Sequence, residues 1–211
     1  MISSFSAGAR WVKDDRVKFY NPTVTTAGGD EYIVWPVMHM WLTKNKLRSL
    51  PQEEALKMAK SGKAKFLDIR LAEDFAKEHI EGALNAPLFR VIPNDTGRLF
   101  DTIKRIAMAG IAMKATERNP DFLSEAERVL GSRNTPVIVY CPPGGTMETK
   151  ITGVKVKNYP DGFADKDRSF GRESRSLKAC YELMSAGFKN VYHLEGGMSK
   201  WRYDGRPMAD L

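Results

Sequence analysis

The sequence predicts an α/β fold organised as one domain. Apolar runs of strand length, among them Val137–Tyr140 and Val191–Leu194, alternate with stretches of helical pattern, which is the signature of βαβ units and a mostly parallel sheet. The 211 residues, 42% of them apolar, suffice for one well-packed core with extensions. Cys141 ends the first of those runs, so a thiol stands at the carboxyl end of a buried strand, where open α/β sheets place their ligands.

Residues 1–46 read as an N-terminal extension. Asn21–Asp30 is turn material rich in Thr and Gly, and Trp11, Tyr20, Tyr32, Trp35 and Trp41 are large aromatics without a clean period. Such residues pack across a neighbouring surface, either the chain's own domain or a partner's. From Leu47 the pattern becomes regular. Pro51 starts a short helix with Glu53 and Glu54 in its first turn, ending near Gly62. Phe66, Leu67 and Ile69 make a buried strand whose end carries Asp68 and Arg70, and a helix over Ala72–His79 leads through Gly82 into a brief strand, Ala83–Ala86.

Residues 88–136 form a long connection. Leu99, Ile103, Ile106, Gly110 and Ile111 follow helical spacing, giving a helix whose apolar face is long enough to cover the sheet, with Met108 and Met113 expected to pack in the core and a partner-facing role as the alternative. Asn119, Pro120 and Asp121 open a further helix through Phe122, Ala126 and Val129. After the strand at 137–140 comes a polar detour, 142–173, then a helix over Ser174–Ala186 capped by Gly187, a strand over Val191–Leu194, and a Gly196–Gly197 turn ahead of Trp201.

Composition excludes several classes. The net charge of +7 favours anionic partners. The basic residues are nonetheless dispersed, which argues against nucleic acid. Two cysteines make no disulfide framework, and no Cys/His spacing suggests a metal, so neither metal nor cofactor is expected. The longest apolar stretch, Ile33–Leu42, contains Pro36 and His39 and is too short for a transmembrane span. Met1–Arg10, rich in Ser and Ala and free of acid, suits the tail of an organelle transit peptide as well as a plain disordered terminus.

Phe75, His79, Ile80, Gly82 and Ala83, then the strand ending in Cys141, then Arg175–Ser176, then Gly187, Phe188, Val191, Leu194, Glu195, Gly196, Gly197, Trp201, Gly205 and Pro207 together resemble the rhodanese family over about residues 47–208. The long connector and the Gly145-Thr146-Met147 after the cysteine are similar to plastid rhodanese-like proteins of plants and algae. The resemblance implies a single rhodanese-like domain over 47–211, with a five-stranded, mostly parallel sheet flanked by helices and an insertion at 142–173. It also implies persulfide chemistry, in which a Cys141 thiolate takes sulfane sulfur from a donor such as thiosulfate and passes it to an acceptor, with Arg172, Arg175, Ser176, Asp68 and Arg70 as candidate support.

That chemistry needs a sulfur whose negative charge is held by inward-pointing amides of a short loop. Here residues 142–174 lie between the cysteine and the Arg-Ser pair, and Pro142 and Pro143 have no N–H to offer. Arg172 or Arg175 reaches the sulfur only if the detour folds outward as a closed flap. His79 has a general-base reading, but before a Gly turn it is expected to bond backbone and fix the corner. Asp68 and Arg70 are expected to form an ion pair steadying the loop. Cys180 reads as a core thiol, with a redox pair to Cys141 as the alternative.

Two functions follow. The first is a rhodanese-fold binding or scaffold protein, a peripheral subunit of a plastid, thylakoid-associated protein assembly. Its partner contacts would come from Trp11, Trp35 and Trp41 in the extension and Tyr159, Phe163 and Phe170 in the 142–173 detour. The second is a working thiosulfate-type sulfurtransferase with Cys141 as nucleophile, in a plastid or a mitochondrion. A phosphatase is disfavoured because no short cysteine-to-arginine phosphate loop exists.

Overall fold

The computed structural model describes residues 23–25, 31–93, 99–109, 114–151, 163–164 and 170–210. A hairpin of β1 (Thr23–Thr25) and β2 (Glu31–Ile33) precedes α1 (Trp35–Lys44), β3 (Arg48–Leu50), α2 (Gln52–Lys60) and β4 (Lys65–Asp68). Then come α3 (Ala72–Lys77), β5 (Glu78–Ile80), β6 (Leu84–Asn85), β7 (Phe89–Val91), α4 (Leu99–Ala109), β8 (Thr116–Arg118), α5 (Phe122–Leu130) and β9 (Val137–Tyr140). The chain continues through β10 (Lys150–Ile151), β11 (Phe163–Ala164), α6 (Arg175–Ser185), β12 (Val191–Leu194), α7 (Gly197–Tyr203) and β13 (Met208–Asp210).

Five strands form the central sheet in the order β3-β12-β9-β4-β6, every neighbouring pair parallel. Its middle strand, β9, is buried at every residue, which is why its four positions are all apolar or aromatic. Side-chain alternation sorts the two faces. Val137, Val139 and Cys141 join α1, α5 and α6 in one core cluster. Ile138 and Tyr140 join Phe66, Ala55 of α2 and Trp201 of α7 in the other.

Within the expected N-terminal extension, the helix at 35–44 packs onto the domain: Met38 and Leu42 are buried in the core cluster that holds Cys141. Pro36 sits in its first turn, where its missing N–H costs nothing. The helix expected to reach His79 stops at Lys77, because Glu78–Ile80 pair antiparallel with Met208–Asp210 and the long-range ladder overrides the local pattern. β7 and β8 pair antiparallel across the long connection.

α4 corrects the expectation that its apolar face covers the sheet. Both sheet faces are already packed by α1, α2, α5, α6 and α7. Lys104 Nζ bonds Thr116 O at 2.6 Å and Arg105 Nη1 bonds Pro93 O at 2.5 Å, holding α4 beside the β7–β8 ladder with Ile103 and Ile106 exposed. Met108 is partly buried, and Met113 lies outside the described residues.

Candidate functional site

The insertion after β9 leaves and returns through a narrow neck. Thr146 and Arg172 exchange backbone hydrogen bonds, Thr146 N to Arg172 O at 3.0 Å and Arg172 N to Thr146 O at 2.8 Å, and Lys150–Ile151 pair with Phe163–Ala164 farther out. Two contacts from α1 fasten this neck: Trp35 Nε1 donates to Phe170 O at 2.9 Å, and His39 Nε2 donates to Met147 O at 2.9 Å. The His39 ring lies edge-on to both Trp35 and Phe170.

Inside the neck Cys141 is fully buried. Its Sγ lies 3.2 Å from the hydroxyl of Ser176, one residue into α6 and itself fully buried. Ser174 caps α6, its Oγ accepting from Leu177 N at 3.2 Å and donating to Gly144 O at 2.8 Å. His193, on β12, meets the same carbonyl through Nε2 at 2.5 Å and reaches Ser176 Oγ at 3.2 Å. A carbonyl only accepts, so Nε2 carries the hydrogen, and Nδ1 accepts from Ser49 Oγ at 3.1 Å. Burial lowers the His193 pKa to about 4, so the ring is neutral near pH 7 and brings no positive charge to the sulfur.

The backbone around Cys141 points elsewhere. Met198 N and Ser199 N, at the start of α7, donate at 3.0 Å to the carbonyls of Cys141 and Pro142. The Cys141 loop therefore supplies acceptors to a helix N-terminus, which needs them. Gly145 N turns back to Pro143 O at 2.8 Å, and Thr146 N is spent on the neck. Gly144 and Gly197 both have positive φ and press together so tightly that a Cβ on Gly144 would strike the Gly197 nitrogen, while one on Gly197 would strike the Cys141 carbonyl. Among the described residues, Ser176 Oγ is the hydrogen-bonding partner of the sulfur.

The other expected site residues scatter. Arg175 is exposed, with its guanidinium over the Phe89 ring at 5.1 Å, and Arg172 is exposed at the neck. Asp68 and Arg70 do form an ion pair, 2.6 Å from Nη2 to Oδ2, with Nη2 also reaching Glu78 O. That pair is not beside the sulfur: Asp68 stands in register with Tyr140, and the two-residue period puts both on the sheet face opposite Cys141. Burial, then the neighbouring Asp68 charge, raises the Tyr140 phenol. His79 Nδ1 donates to Phe75 O at 2.9 Å and its ring stacks on Phe75.

Trp35 and Trp41 pack onto their own domain, Trp41 edge-on to Tyr181 at 5.1 Å. Trp11 and Tyr159 lie outside the described residues, and for Phe163 only its strand placement is described. Cys180 is a buried thiol 3.9 Å from Tyr192 O, its pKa pushed up by burial and by the nearby Cys141. Sequence reasoning missed His193 and Ser174. The signal for Ser174 was its place ahead of the α6 pattern, whereas a histidine inside a strand-like run gives none.

Residues 51–165 match the model of the rhodanese-like domain. The chain belongs to the rhodanese-like domain family. It is 31% identical over 178 residues to the Arabidopsis thaliana "Rhodanese-like domain-containing protein 14, chloroplastic", a match spanning 84% of this chain and 71% of that protein. It is 25% identical over 143 residues to "Thiosulfate sulfurtransferase 16, chloroplastic" of the same plant, covering 68% and 78% respectively. "Protein HIGH ARSENIC CONTENT 1, mitochondrial", also from Arabidopsis thaliana, is 28% identical over 137 residues, covering 65% of this chain and 52% of that one. A solved rhodanese-like domain from Anabaena sp. superposes with a TM-score of 0.44 at 16% identity over 77% of this chain and 79% of that one. The parallel five-stranded sheet with helices on both faces is the rhodanese-like arrangement. No helix among the described residues is long and apolar enough to cross a membrane.

Proposed function

We propose that this rhodanese-like protein is a binding or scaffold protein, a peripheral subunit of a plastid protein assembly at the thylakoid, whose persulfide site is degraded. One observation carries the reading: the Cys141 sulfur is fully buried with a single hydroxyl for company, and its loop points carbonyls into α7 instead of amides at the sulfur. Persulfide formation requires a thiolate to form an S–S bond to the outer sulfur of thiosulfate while the donor's own S–S bond breaks and sulfite leaves with the electron pair. A buried thiol with a neutral histidine nearby and Pro142 and Pro143 after it supports neither the anion nor the approach. The chloroplastic names of two relatives support a plastid, and the net charge of +7 suits an anionic assembly face.

The alternative, an active sulfurtransferase, draws on Arg172 and Arg175, both exposed, and on the name of one relative. Purified protein exposed to thiosulfate, with Cys180 replaced by Ala, separates the two by intact mass under non-reducing conditions. No added sulfur is expected; one sulfur atom gained on Cys141 overturns the scaffold reading. In parallel, Cys141→Ala should leave partner association intact, while removal of residues 1–30, which spares α1, or of the insertion beyond the neck should weaken it.

A further inference from the structure

We infer that Cys141 serves as a fixed hydrogen-bond donor, its thiol hydrogen directed at the Ser176 hydroxyl, so that the sulfur is a strut joining the end of β9 to the first turn of α6. The inference rests on the binding reading above, since a thiol used in this way is not free to load sulfur, and it gives that buried residue a task of its own. Distance alone leaves the direction of the Cys141–Ser176 contact open, because either atom of the 3.2 Å pair has a hydrogen to give. The neighbours decide it.

Gly144 O has two lone pairs, and two donors reach them more closely than Ser176 Oγ does: Ser174 Oγ at 2.8 Å and His193 Nε2 at 2.5 Å, against 3.3 Å. Ser174 Oγ, having given its hydrogen to that carbonyl, keeps two lone pairs, one of which takes Leu177 N–H at 3.2 Å. The other faces Ser176 Oγ at 3.1 Å, and because Ser174 has no second hydrogen, the Ser176 hydroxyl is the donor there. Ser176 has a single hydrogen, and oxygen is a better acceptor than a thiol sulfur, so none remains for Cys141. The sulfur is left to donate. The two lone pairs of Ser176 Oγ then receive the Cys141 thiol and the His193 Nε2–H, which lies 3.2 Å away. Such complete pairing is what the burial of Cys141, Ser174, Ser176 and His193 demands. A sulfur anion would reverse the arrangement, since Ser176 would have to turn its hydrogen from the Ser174 oxygen to the sulfur and leave a buried lone pair empty.

The experiment uses the purified full chain carrying Cys180→Ala, which leaves Cys141 as its one thiol, and reads the infrared S–H stretch at neutral pH. The expected band lies at lower wavenumber than that of a simple alkyl thiol in hydrocarbon solvent, and Ser176→Ala moves it up toward that free position. A parent band already at the free position, the absence of any S–H band, or a band that Ser176→Ala leaves unmoved overturns the inference. Where Ser176→Ala does not fold, Cys141→Ser and Cys141→Ala decide by denaturant titration. Serine, donating from the same place, is expected to hold the midpoint nearer the parent's than alanine does; the reverse order overturns the proposal. Thiosulfate treatment of the same Cys180→Ala protein, followed by intact mass, separates this inference from the reading beneath it. A free-position band with no sulfur gained removes the donor role and spares the reading, whereas one sulfur gained on Cys141 removes both.

Discussion

The hydroxyl of Ser176 sits 3.2 Å from the sulfur of Cys141, with both residues fully buried. Replacing Ser176 by Ala strips a hydroxyl that also meets Ser174, His193 and the Gly144 carbonyl. Denaturant titration should show a loss of about 1–3 kcal/mol, the cost of leaving buried polar groups unpaired.

Access to the sulfur should be governed from α1. Trp35→Ala removes the bond to Phe170 O and half-buried ring contacts, loosening the neck that closes over Cys141. In a Cys180→Ala background, alkylation of Cys141 under native conditions should be slow and should quicken by about tenfold if the neck loses roughly 1.4 kcal/mol. An unchanged rate in Trp35→Ala places the barrier elsewhere.

His193 predicts a pH dependence with a definite sign. Its folded pKa, about 4, lies below the ordinary 6.5, so the unfolded chain binds the extra proton between those values. Stability contributed by the neutral ring is complete above pH 6.5 and is lost as pH falls toward 4, by on the order of 3 kcal/mol. Thermal unfolding of His193→Gln across that window should show a flatter pH slope than the parent.

Arg70→Met leaves the fully buried Asp68 carboxylate without its guanidinium. The loss should be about 3–5 kcal/mol. Because the pair lies on the far face of the sheet, Cys141 alkylation in the folded variant should match the parent rate.

Gly197→Ala should destabilise by more than a helix-interior change of the same kind, beyond about 1 kcal/mol, because its Cβ has no room against the Cys141 carbonyl. Near-neutral unfolding behaviour would show that the Cys141 loop and α7 are not locked together.

The strands and helices of the domain were legible wherever burial and period agree. Val137–Tyr140 and Val191–Leu194 occupy the predicted bounds because an apolar run in the middle of a parallel sheet has few other readings. Asn119-Pro120-Asp121 likewise announced α5. β7 and β8 were not legible, since their pairing spans the whole α4 segment and has no local turn to mark it. At the site, Cys141 and Ser176 could be paired from the family pattern, but which face Asp68 takes depends on register, and a shift of one residue reverses it. His193 was hidden because its partner is a backbone carbonyl, which leaves no trace in side-chain spacing.

The two hydrogen bonds between Thr146 and Arg172 make the inserted segment separable from the sheet in principle. A short turn grafted across that pair would rejoin Gly145 to Glu173 without moving β9 or α6. Such a trimmed chain offers a direct way to ask what the insertion does to the reactivity of the Cys141 thiol.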